Sequence, residues 1–293
     1  MTRRFLIIGS QGQLGSELRA LFDGLQREGE EVAYVQADVE ECDITDASEV
    51  RRFFSRFGDG ELKAVFNAAA YTDVDGAEQH FERAFMVNAE GAANVAAAAR
   101  EVGAPLVYFS TDFVFGSGHV APIDELAIPD PMSVYGRSKR GGELLSMANN
   151  PRCAVVRTSG LYSRWGKNFV SSIAGYAREK GRLQVVSDQW ITPTPASTLA
   201  RVAVGIADDE LFCGGVYHAT PQGRCTWYEL ARAVVELLEI DAEIEPTTAE
   251  KWGAAAKRPE FSVLDNRRLR GRGIDIFGHW REELGCFLGD GGV

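Results

Sequence analysis

The chain has 293 residues, and its 42 Asp and Glu against 31 Lys and Arg give a formal net charge of −11 at pH 7. This acidic balance argues against proteins that bind the phosphate backbone of nucleic acids or an anionic membrane surface, because both need a basic footprint. A length near 300 residues with 45% hydrophobic residues suits one large globular domain or two modest ones.

Short apolar runs alternate with amphipathic segments as far as about residue 205. The runs are brief and apolar on both faces, which is typical of parallel strands covered by helices. The predicted strands are residues 5–8, 32–35, 64–66, 105–109, 153–157 and 183–186, and the predicted helices include residues 13–28, 47–57 and 78–102. This alternation predicts an α/β fold, a doubly wound Rossmann-type parallel sheet.

The pattern changes after about residue 160, where the loops lengthen and prolines cluster. A further strand is predicted at residues 215–219 and a helix at residues 226–238. We therefore predict that residues 1–160 form mainly a dinucleotide-binding Rossmann region. Residues 161–293 are expected to form mainly a smaller substrate-binding lobe, with segments that return to the Rossmann core.

The cysteines and histidines are scattered along the chain. The five cysteines include no CxxC pair and the four histidines show no metal-ligand spacing, which predicts thiols in a reducing compartment and no metal site. The cysteines are Cys42, Cys153, Cys213, Cys225 and Cys286. The first apolar run is too short for a signal sequence, and no stretch approaches the length of a membrane span. These features predict a soluble, cytoplasmic protein with no membrane partner.

Three glycines, Gly9, Gly12 and Gly15, stand directly after the first strand and at the start of the first helix. Glycines there let the backbone turn tightly and approach a pyrophosphate, which meets the free N–H groups of the helix. This context favours a dinucleotide site over a glycine-rich turn without a ligand. Asp38, near the end of the second strand, suits a ribose contact or a helix cap. No Arg or Lys follows it directly, so NADH and NADPH both stay open as the cofactor.

Two further segments suit contacts to a dinucleotide. Asp43 and Ile44 offer a polar and an apolar contact to adenine, and Asp43 suits a turn before the next helix equally well. The small side chains of Ala68, Ala69 and Ala70 after the third strand allow either a close approach of the backbone to a cofactor or tight packing of a helix on the sheet.

Tyr135 and Lys139 lie four residues apart, on one face of a predicted helix. A nearby ammonium lowers the pKa of a phenol, so the pair suits acid–base chemistry near neutral pH, although it also occurs as a solvated helix pair. Thr111 and Asp112 follow a predicted strand, at the carboxyl edge where such sheets bind ligands. A hydroxyl there can donate to a substrate carbonyl while Tyr135 delivers the proton.

These motifs occur in an order that resembles the extended short-chain dehydrogenase/reductases, and within them the dTDP-4-dehydrorhamnose reductases. The resemblance covers nearly the whole chain. Its segments are residues 67–78, 110–115, 135–139, 166–170, 188–194, 215–218 and the pair Arg258-Pro259. The later segments are the more specific ones, because the wider superfamily lacks them.

The resemblance implies hydride transfer from NADPH or NADH to carbon 4 of a dTDP-4-dehydro-6-deoxyhexose, with dTDP-4-dehydro-L-rhamnose as the expected substrate and dTDP-L-rhamnose as the product. It implies that Tyr135 is the proton donor, that Lys139 tunes Tyr135 and holds the nicotinamide ribose, and that Thr111 binds the keto oxygen. Asp112 matches a substrate contact.

The same resemblance assigns the cofactor contacts. They are Gly12, Gln13 and Leu14 at the pyrophosphate, Asp43 and Ile44 at the adenine, and Ala68, Ala69 and Ala70 at the end of the third strand. The chain departs from the family at Gly160, where an aromatic residue commonly follows Arg-Thr-Ser and helps to shape the sugar site. Trp165 and Trp190 are the nearby aromatic residues that can take its place.

Two other functions stay open on the sequence alone. One is an epimerase or dehydratase of sugar nucleotides with the same fold, although Asp112 is followed by Phe113 and not by the second acid that such dehydratases tend to carry. The other is a non-catalytic regulatory subunit like that of methionine adenosyltransferase. The superfamily also makes a homodimer a candidate oligomeric state, but the sequence shows no apolar helical stripe that decides it.

Overall fold

The computed structural model describes residues 2–209, 212 and 214–293, and within these ranges six strands form one parallel sheet. The strands of this sheet are β1 (Arg3–Ile8), β2 (Val32–Ala37), β3 (Ala64–Asn67), β4 (Leu106–Thr111), β5 (Cys153–Thr158) and β10 (Gly215–His218). Their order across the sheet is β10-β5-β4-β3-β1-β2. The predicted doubly wound α/β fold of Rossmann type is confirmed.

Both faces of the sheet are covered by helices, because successive side chains of a strand point to opposite faces. Phe5 and Ile7 of β1 belong to one buried cluster, and Leu6 and Ile8 belong to the other. The first cluster is covered by α1 (Gln13–Arg27) and α8 (Ala196–Asp208), and the second by α2 (Ala47–Phe54), α5 (Ala92–Glu101) and α6 (Val134–Asn149).

The order in which strands are added to the sheet reverses between β1 and β3, and this switch point positions the candidate site. Strand β2 pairs with one edge of β1 and β3 with the other, so the connections leave in opposite directions. Ligands of such sheets bind outside the carboxyl ends of the strands at this switch point. There, Ala68 donates its N–H to the carbonyl of Ile8 (2.9 Å), and Gly9 donates its N–H to the carbonyl of Ala37 (2.9 Å).

The prediction of one long helix over residues 78–102 is wrong. The segment contains α3 (Val74–Gln79), α4 (Phe81–Phe85) and a π-helical stretch (Met86–Gly91) before α5. The π-helical stretch carries Asn88, whose buried amide bonds both backbone groups of Tyr71 and the hydroxyl of Ser138. Such stretches often mark functional sites, and this one ties the loop after β3 to the helix that carries Tyr135.

The second lobe packs around a third buried cluster. Its elements are β6 (Leu161–Tyr162), α7 (Phe169–Lys180), β7 (Arg182–Val186), β8 (Trp190–Ile191), β9 (Thr194–Pro195), β11 (Cys225–Thr226), α9 (Trp227–Leu237), β12 (Glu243–Thr247), α10 (Ala249–Trp252) and α12 (Trp280–Gly289). Helix α11 (Arg267–Gly271) packs instead against β10 of the central sheet, and its Leu269 belongs to the first cluster. Residues 183–186 form a strand as predicted, but β7 pairs with β12 outside the central sheet. Several of its side chains are exposed, unlike those of a covered central strand.

Parts of the second half return to the first. Strand β10 pairs with β5, and α8 packs against α1. The segment 260–265 joins both halves through single bridges, Trp190 with Phe261 and Ile123 with Leu264. Within the described ranges, no helix is long and apolar enough to cross a membrane. Cys42, Cys153 and Cys225 are buried free thiols, Cys286 is an exposed one, and Cys213 lies outside the described residues.

Candidate active site

The glycine loop is packed so closely that two of its positions have no room for a side chain. A Cβ atom at Gly9 would lie less than 3.0 Å from the backbone of Ala69, and one at Gly15 less than 3.0 Å from the carbonyl of Gly9. Gly9 also has a φ of +77°, which disfavours other residues. Gly12 begins α1 without a side-chain cap, and the first turn carries no acid. The N–H groups of Gln13 and Leu14 therefore form a cradle for an anion.

The acids at the end of β2 hold the local backbone. Asp38 accepts hydrogen bonds from the N–H groups of Gln11 and Val39, both at 2.9 Å. The bond from Gln11 holds the glycine loop against the end of β2. Asp43 accepts from the N–H and the hydroxyl of Thr45, in the turn before α2. The side chain of Ile44 is buried. The geometry thus supports the turn role of Asp43, and cofactor contacts of Asp43 and Ile44 stay predictions.

The alanines after β3 line the same edge of the sheet as the glycine loop. Ala68, Ala69 and Ala70 are half-buried, and the Ala68–Ala69 backbone is the surface on which Gly9 packs. Asn67 is buried and accepts the N–H of Ala69 at its Oδ1. The structure therefore brings together the predicted contacts Gly9, Gly12 to Gly15 and Ala68 to Ala70 at one edge of the sheet.

The predicted catalytic residues meet at the carboxyl end of β4. Thr111 ends this strand, and Tyr135 lies in the first turn of α6, which Ser133 caps through the N–H of Gly136. The phenol of Tyr135 lies beside the Thr111 hydroxyl, which acts to lower the pKa of the phenol. Lys139 lies one turn further along α6 and donates from Nζ to the carbonyl of Phe109 (2.7 Å). Thr111, Tyr135 and Lys139 are thus neighbours.

The pKa of Tyr135 differs from the expected direction. Burial, and the charge of Asp112, raise it to about 12, whereas a lowering by Lys139 was expected. Lys139 does not offset this rise, and its ammonium faces the Phe109 carbonyl and the ring of Tyr108, 4.2 Å from the ring centroid. Burial also lowers the pKa of Lys139 itself to about 7, against the opposing charge of Glu143. Because the pKa of Tyr135 is about 12, its phenol keeps its proton at neutral pH.

Asp112 is placed differently from a simple substrate contact. Its side chain is only 2% exposed. One carboxyl oxygen faces the Thr111 hydroxyl at 3.0 Å, and the other accepts from the hydroxyls of Ser159 (2.8 Å) and Ser262. Both oxygens are therefore occupied within the protein.

A buried ionic network that the motifs did not indicate lies behind Lys139. Glu143 accepts from Ser110 and Arg140, and it forms a two-point ion pair with Arg157 at 2.7 and 2.8 Å. Arg157 continues to His218, whose other ring nitrogen faces the Ile123 carbonyl at 2.9 Å. A signal existed for Arg157, a charge inside an apolar strand, but Ser159 and Ser262 carried none.

A cavity of about 1430 Å³ lies between the second lobe and the segment that precedes α6. Met132, two residues before the start of α6, lines it from the Rossmann side. The aromatic and basic residues that line the cavity are Phe169, Tyr176, Trp227, Trp252, Lys180, Arg182, Lys257 and Arg258. Aromatic faces and cations suit a ligand with a base and phosphates, and the volume exceeds that of common small-ligand pockets.

Gly160 has a φ of +54°, and a Cβ atom there would lie 3.2 Å from Ile191 and Pro193. Of the aromatic residues that could replace a missing one, Trp165 is exposed and Trp190 lies beneath the guanidinium of Arg224. Among the described residues, no cluster of three or more His, Cys, Asp or Glu side chains forms a metal site.

Comparison with known proteins identifies similar chains along almost the full length. The family model described as "RmlD substrate binding domain" matches residues 3–291. The chain is 35% identical to the spore coat polysaccharide biosynthesis protein SpsK of Bacillus subtilis, over 97% of this chain and 96% of that one. It is 36% identical to a dTDP-4-dehydrorhamnose reductase of Mycobacterium tuberculosis (98% and 93% covered). It is 34% identical to a dTDP-4-keto-6-deoxy-D-glucose reductase of Streptomyces niveus (97% and 96%).

Two solved structures share the fold closely. A dTDP-4-dehydrorhamnose reductase of Clostridium acetobutylicum superposes with a TM-score of 0.91 at 38% identity, covering 97% of this chain and 98% of that one. A dTDP-4-dehydrorhamnose reductase of Bacillus anthracis in complex with NADP superposes with a TM-score of 0.91 at 34% identity, covering 99% and 100%.

Proposed function

Because this chain belongs to the RmlD family of dTDP-4-dehydrorhamnose reductases, we propose that it reduces the 4-keto group of a dTDP-4-dehydro-6-deoxyhexose with NADPH or NADH. It is an NAD(P)H-dependent sugar-nucleotide reductase. The proposed substrate is dTDP-4-dehydro-L-rhamnose and the product dTDP-L-rhamnose. The observation that carries the proposal is the convergence of Thr111, Tyr135 and Lys139 beside an anion cradle at one sheet edge.

The residues present fit a nicotinamide dinucleotide. The cradle at Gly9 and Gly15 is one that a Cβ atom would fill, and Gln13 and Leu14 offer N–H groups to the pyrophosphate. When bound, the reduced cofactor supplies the hydride. Asp38, at the end of β2, suits a ribose hydroxyl, while an NADP complex is known for the Bacillus anthracis relative, so we expect the protein to accept both NADH and NADPH.

The side chains at β4 and α6 handle the proton and the keto oxygen. Tyr135 holds its proton at neutral pH and is the proposed proton donor to the oxygen at carbon 4. Thr111 is proposed to donate a hydrogen bond to the same oxygen. Lys139, fixed by the Phe109 carbonyl, supplies positive charge that stabilises the phenolate left behind, and is proposed to hold the nicotinamide ribose.

The cavity is proposed to take the nucleotide half of the substrate. Its aromatic walls suit the thymine ring, and Arg258, at the rim, suits the diphosphate. A second sugar, dTDP-4-keto-6-deoxy-D-glucose, is a candidate substrate, because Gly160 stands where the family commonly has an aromatic residue and the Streptomyces niveus relative carries that sugar in its name.

A cofactor oxidation assay tests the proposal. The purified protein is mixed with NADPH or NADH and each of the two dTDP-4-keto sugars, and we expect oxidation of the cofactor. Tyr135→Phe should lower kcat by about 10²- to 10⁴-fold, whereas Tyr228→Phe, in the second lobe, should leave it near the wild-type value. Absence of oxidation with every pair would refute the proposal. Tightly retained NAD⁺ would point to an epimerase or dehydratase, and a stoichiometric enzyme partner to a regulatory subunit.

We also propose a homodimer, because α4, the start of the π-helical stretch and α6 carry exposed apolar side chains. Phe81, Phe85, Met86 and Leu144 are each 38–55% exposed there. An apolar surface of this kind on adjacent helices suits a second copy of the chain. Light scattering should give twice the chain mass, and Phe85→Ser should give the monomer; a wild-type protein of single mass would contradict the proposal.

A further inference from the structure

The side-chain hydrogen bonds described for the carboxyl group of Asp112 all involve hydroxyl groups. Thr111 faces one oxygen, and Ser159 and Ser262 donate to the other. Asp112, Ser159 and Ser262 are all at most 2% exposed. Within the described part of the chain, no Lys, Arg or His forms a hydrogen bond or ion pair with it. An ionised carboxylate is costly in such a place, because no cation offsets the loss of hydration.

The hydroxyl of Thr111 has one proton to donate and two lone pairs that accept. Three protein groups surround it: the N–H of Phe113 at 3.2 Å, the carboxyl oxygen of Asp112 at 3.0 Å, and the phenol of Tyr135. The N–H always donates. The direction of the other two hydrogen bonds therefore depends on whether Asp112 carries a proton.

With Asp112 ionised, the Thr111 proton must point to the carboxylate. The remaining lone pair of Thr111 then accepts from Tyr135 and competes with the substrate for the phenolic proton. With Asp112 neutral, its O–H donates to Thr111, and the proton of Thr111 is free to point toward Tyr135 and the keto oxygen. Only the second arrangement makes Thr111 a donor in the reaction.

We propose that Asp112 acts as a neutral carboxylic acid that donates to Thr111, and thereby orients the Thr111 hydroxyl as a hydrogen-bond donor to the keto oxygen. Asp112 is thus a positioning residue and not a substrate contact. This inference rests on the proposed function, which places the keto oxygen beside Thr111. Ser262 links the arrangement to the second half of the chain, because it lies in the segment that bridges to β8.

The surrounding charges agree with a neutral Asp112. Burial raises its pKa, against lowering by the hydrogen bonds from Ser262, Ser159 and Thr111. Tyr135 faces it from α6 and is itself neutral at pH 7. Of the basic residues on α6, Lys139 donates from its ammonium to the Phe109 carbonyl, Arg140 is paired with Glu143, and Arg137 is exposed. Ser159 follows β5, whose buried Arg157 is paired with Glu143. Ser262 lies in the segment 260–265, where Glu260 is exposed and Asp265 is paired with Arg270.

Difference infrared spectroscopy detects the proton directly. Spectra of the wild-type protein minus Asp112→Asn at neutral pH should show the C=O stretch of one protonated carboxyl group, and this band should fade as the pH rises. Ser262→Ala removes a donor that stabilises the carboxylate, so the midpoint of fading should move to higher pH. Absence of the band overturns the inference. Ser55→Ala, on the distant surface of α2, is the matched control and should not move the midpoint.

The pH dependence of kcat reports on the same proton, the one on the Asp112 carboxyl group. In the wild type, kcat should fall with rising pH at the midpoint of the infrared band, and Ser262→Ala should move both together. Asp112→Asn, whose amide can donate at every pH, should lose this fall in kcat. The variant should keep a second fall, which the deprotonation of Lys139 produces because burial lowers the pKa of Lys139 to about 7. Asp112→Leu should lower kcat by about tenfold or more with KM changed less than about threefold. A rise confined to KM would show a substrate contact and overturn the inference.

The two readouts separate this inference from the function on which it rests. The infrared band does not require turnover, so a protein that shows the band but oxidises no cofactor would refute the proposed function alone. A protein that reduces the sugar without the band would refute the role of Asp112 alone.

Discussion

Glu143 is the most heavily hydrogen-bonded charge near the candidate active site. It is fully buried and accepts from Ser110, Arg140 and Arg157. Burial on its own would raise its pKa, but the hydrogen bonds and charge of Arg157 outweigh burial and lower it. Glu143 is therefore ionised at neutral pH and fixes the end of β5 to α6, behind Lys139.

Glu143→Gln should lower the free energy of unfolding by about 3–5 kcal/mol, because it leaves the buried Arg157 without a counter-charge. Urea denaturation measures the change. Glu61→Gln removes the same charge from the half-exposed pair with Arg4 and should cost less than about 1 kcal/mol. Equal losses in the two variants would contradict this account of the network.

His218 should make the fold sensitive to mild acid. Burial, and the neighbouring Arg157, lower its pKa to about 4. The unfolded chain, with an ordinary value near 6.5, binds the proton more tightly, so stability is lost as the pH falls from about 6.5 towards 4. Between pH 7 and pH 5 this one group should remove about 2 kcal/mol.

A comparison of His218→Asn with the wild-type protein measures how much His218 contributes to the pH dependence of the free energy of unfolding. The wild-type protein should lose about 2 kcal/mol more stability than the variant between pH 7 and pH 5. His80→Asn, at an exposed position, should keep the wild-type pH dependence. A His218 variant with an unchanged slope would show that other groups cause the acid sensitivity.

At the scale of residues, short-range motifs predict Tyr135, Lys139 and Thr111, because each lies in a local pattern with a known chemistry. They do not predict Ser262, which meets Asp112 across 150 positions of sequence. The family resemblance assigns a substrate contact to Asp112, and the hydrogen bonds that join its carboxyl group to three hydroxyls could not be read from the residues next to it. Partners of a buried polar group are a tertiary property.

Helix α1 contains two glycines with opposite surroundings, which gives a matched pair at the scale of elements. Gly15→Ala would force a Cβ atom into the carbonyl of Gly9 and should lower stability by about 1–3 kcal/mol and weaken cofactor binding. Gly24→Ala meets nothing within 4 Å and should raise stability by about 0.5–1 kcal/mol. Thermal unfolding with and without NADPH measures both; a destabilised Gly24 variant would contradict the argument.

The elements with strong local patterns agree between sequence and structure. The helix predicted at residues 13–28 is α1, Gln13–Arg27, and the helix predicted at residues 226–238 is α9, Trp227–Leu237, with a capping box at Thr226. The break near His80 and the π-helical stretch could not be predicted, because they serve the contacts of Asn88 with a loop and a second helix. Likewise, a strand pattern at residues 183–186 does not tell which sheet it joins.

At the scale of the whole molecule, local cations must offset an acidic surface. Arg258 lines the cavity and forms an ion pair with Asp75 of α3, at 2.7 Å, so that it joins the two halves at the rim. Its hydrogen bonds lower the pKa of Asp75. A dTDP-linked ligand would meet this guanidinium before the bulk negative charge of the protein could repel it.

Arg258→Gln should therefore weaken the binding of dTDP by about tenfold, the loss of one charge-assisted contact. Calorimetry at low and high salt measures it, and the salt dependence should shrink in the variant. Arg267→Gln, an exposed arginine on α11, should bind dTDP as the wild type does. Equal affinity of the Arg258 variant and wild type would place the diphosphate elsewhere.

The bridge from residues 260–265 to the centre of the molecule has a consequence for how the protein is made. A chain that leaves the ribosome from its N-terminus presents the glycine loop, Thr111 and Tyr135 early, whereas the edge strand β10 emerges later and Ser262 later still. The nascent chain thus contains every recognisable motif before it contains Ser262, whose hydroxyl donates to Asp112. Loss of the residues from 262 onward would leave a chain that keeps the glycine loop, Thr111 and Tyr135 but lacks the hydroxyl of Ser262 beside Asp112.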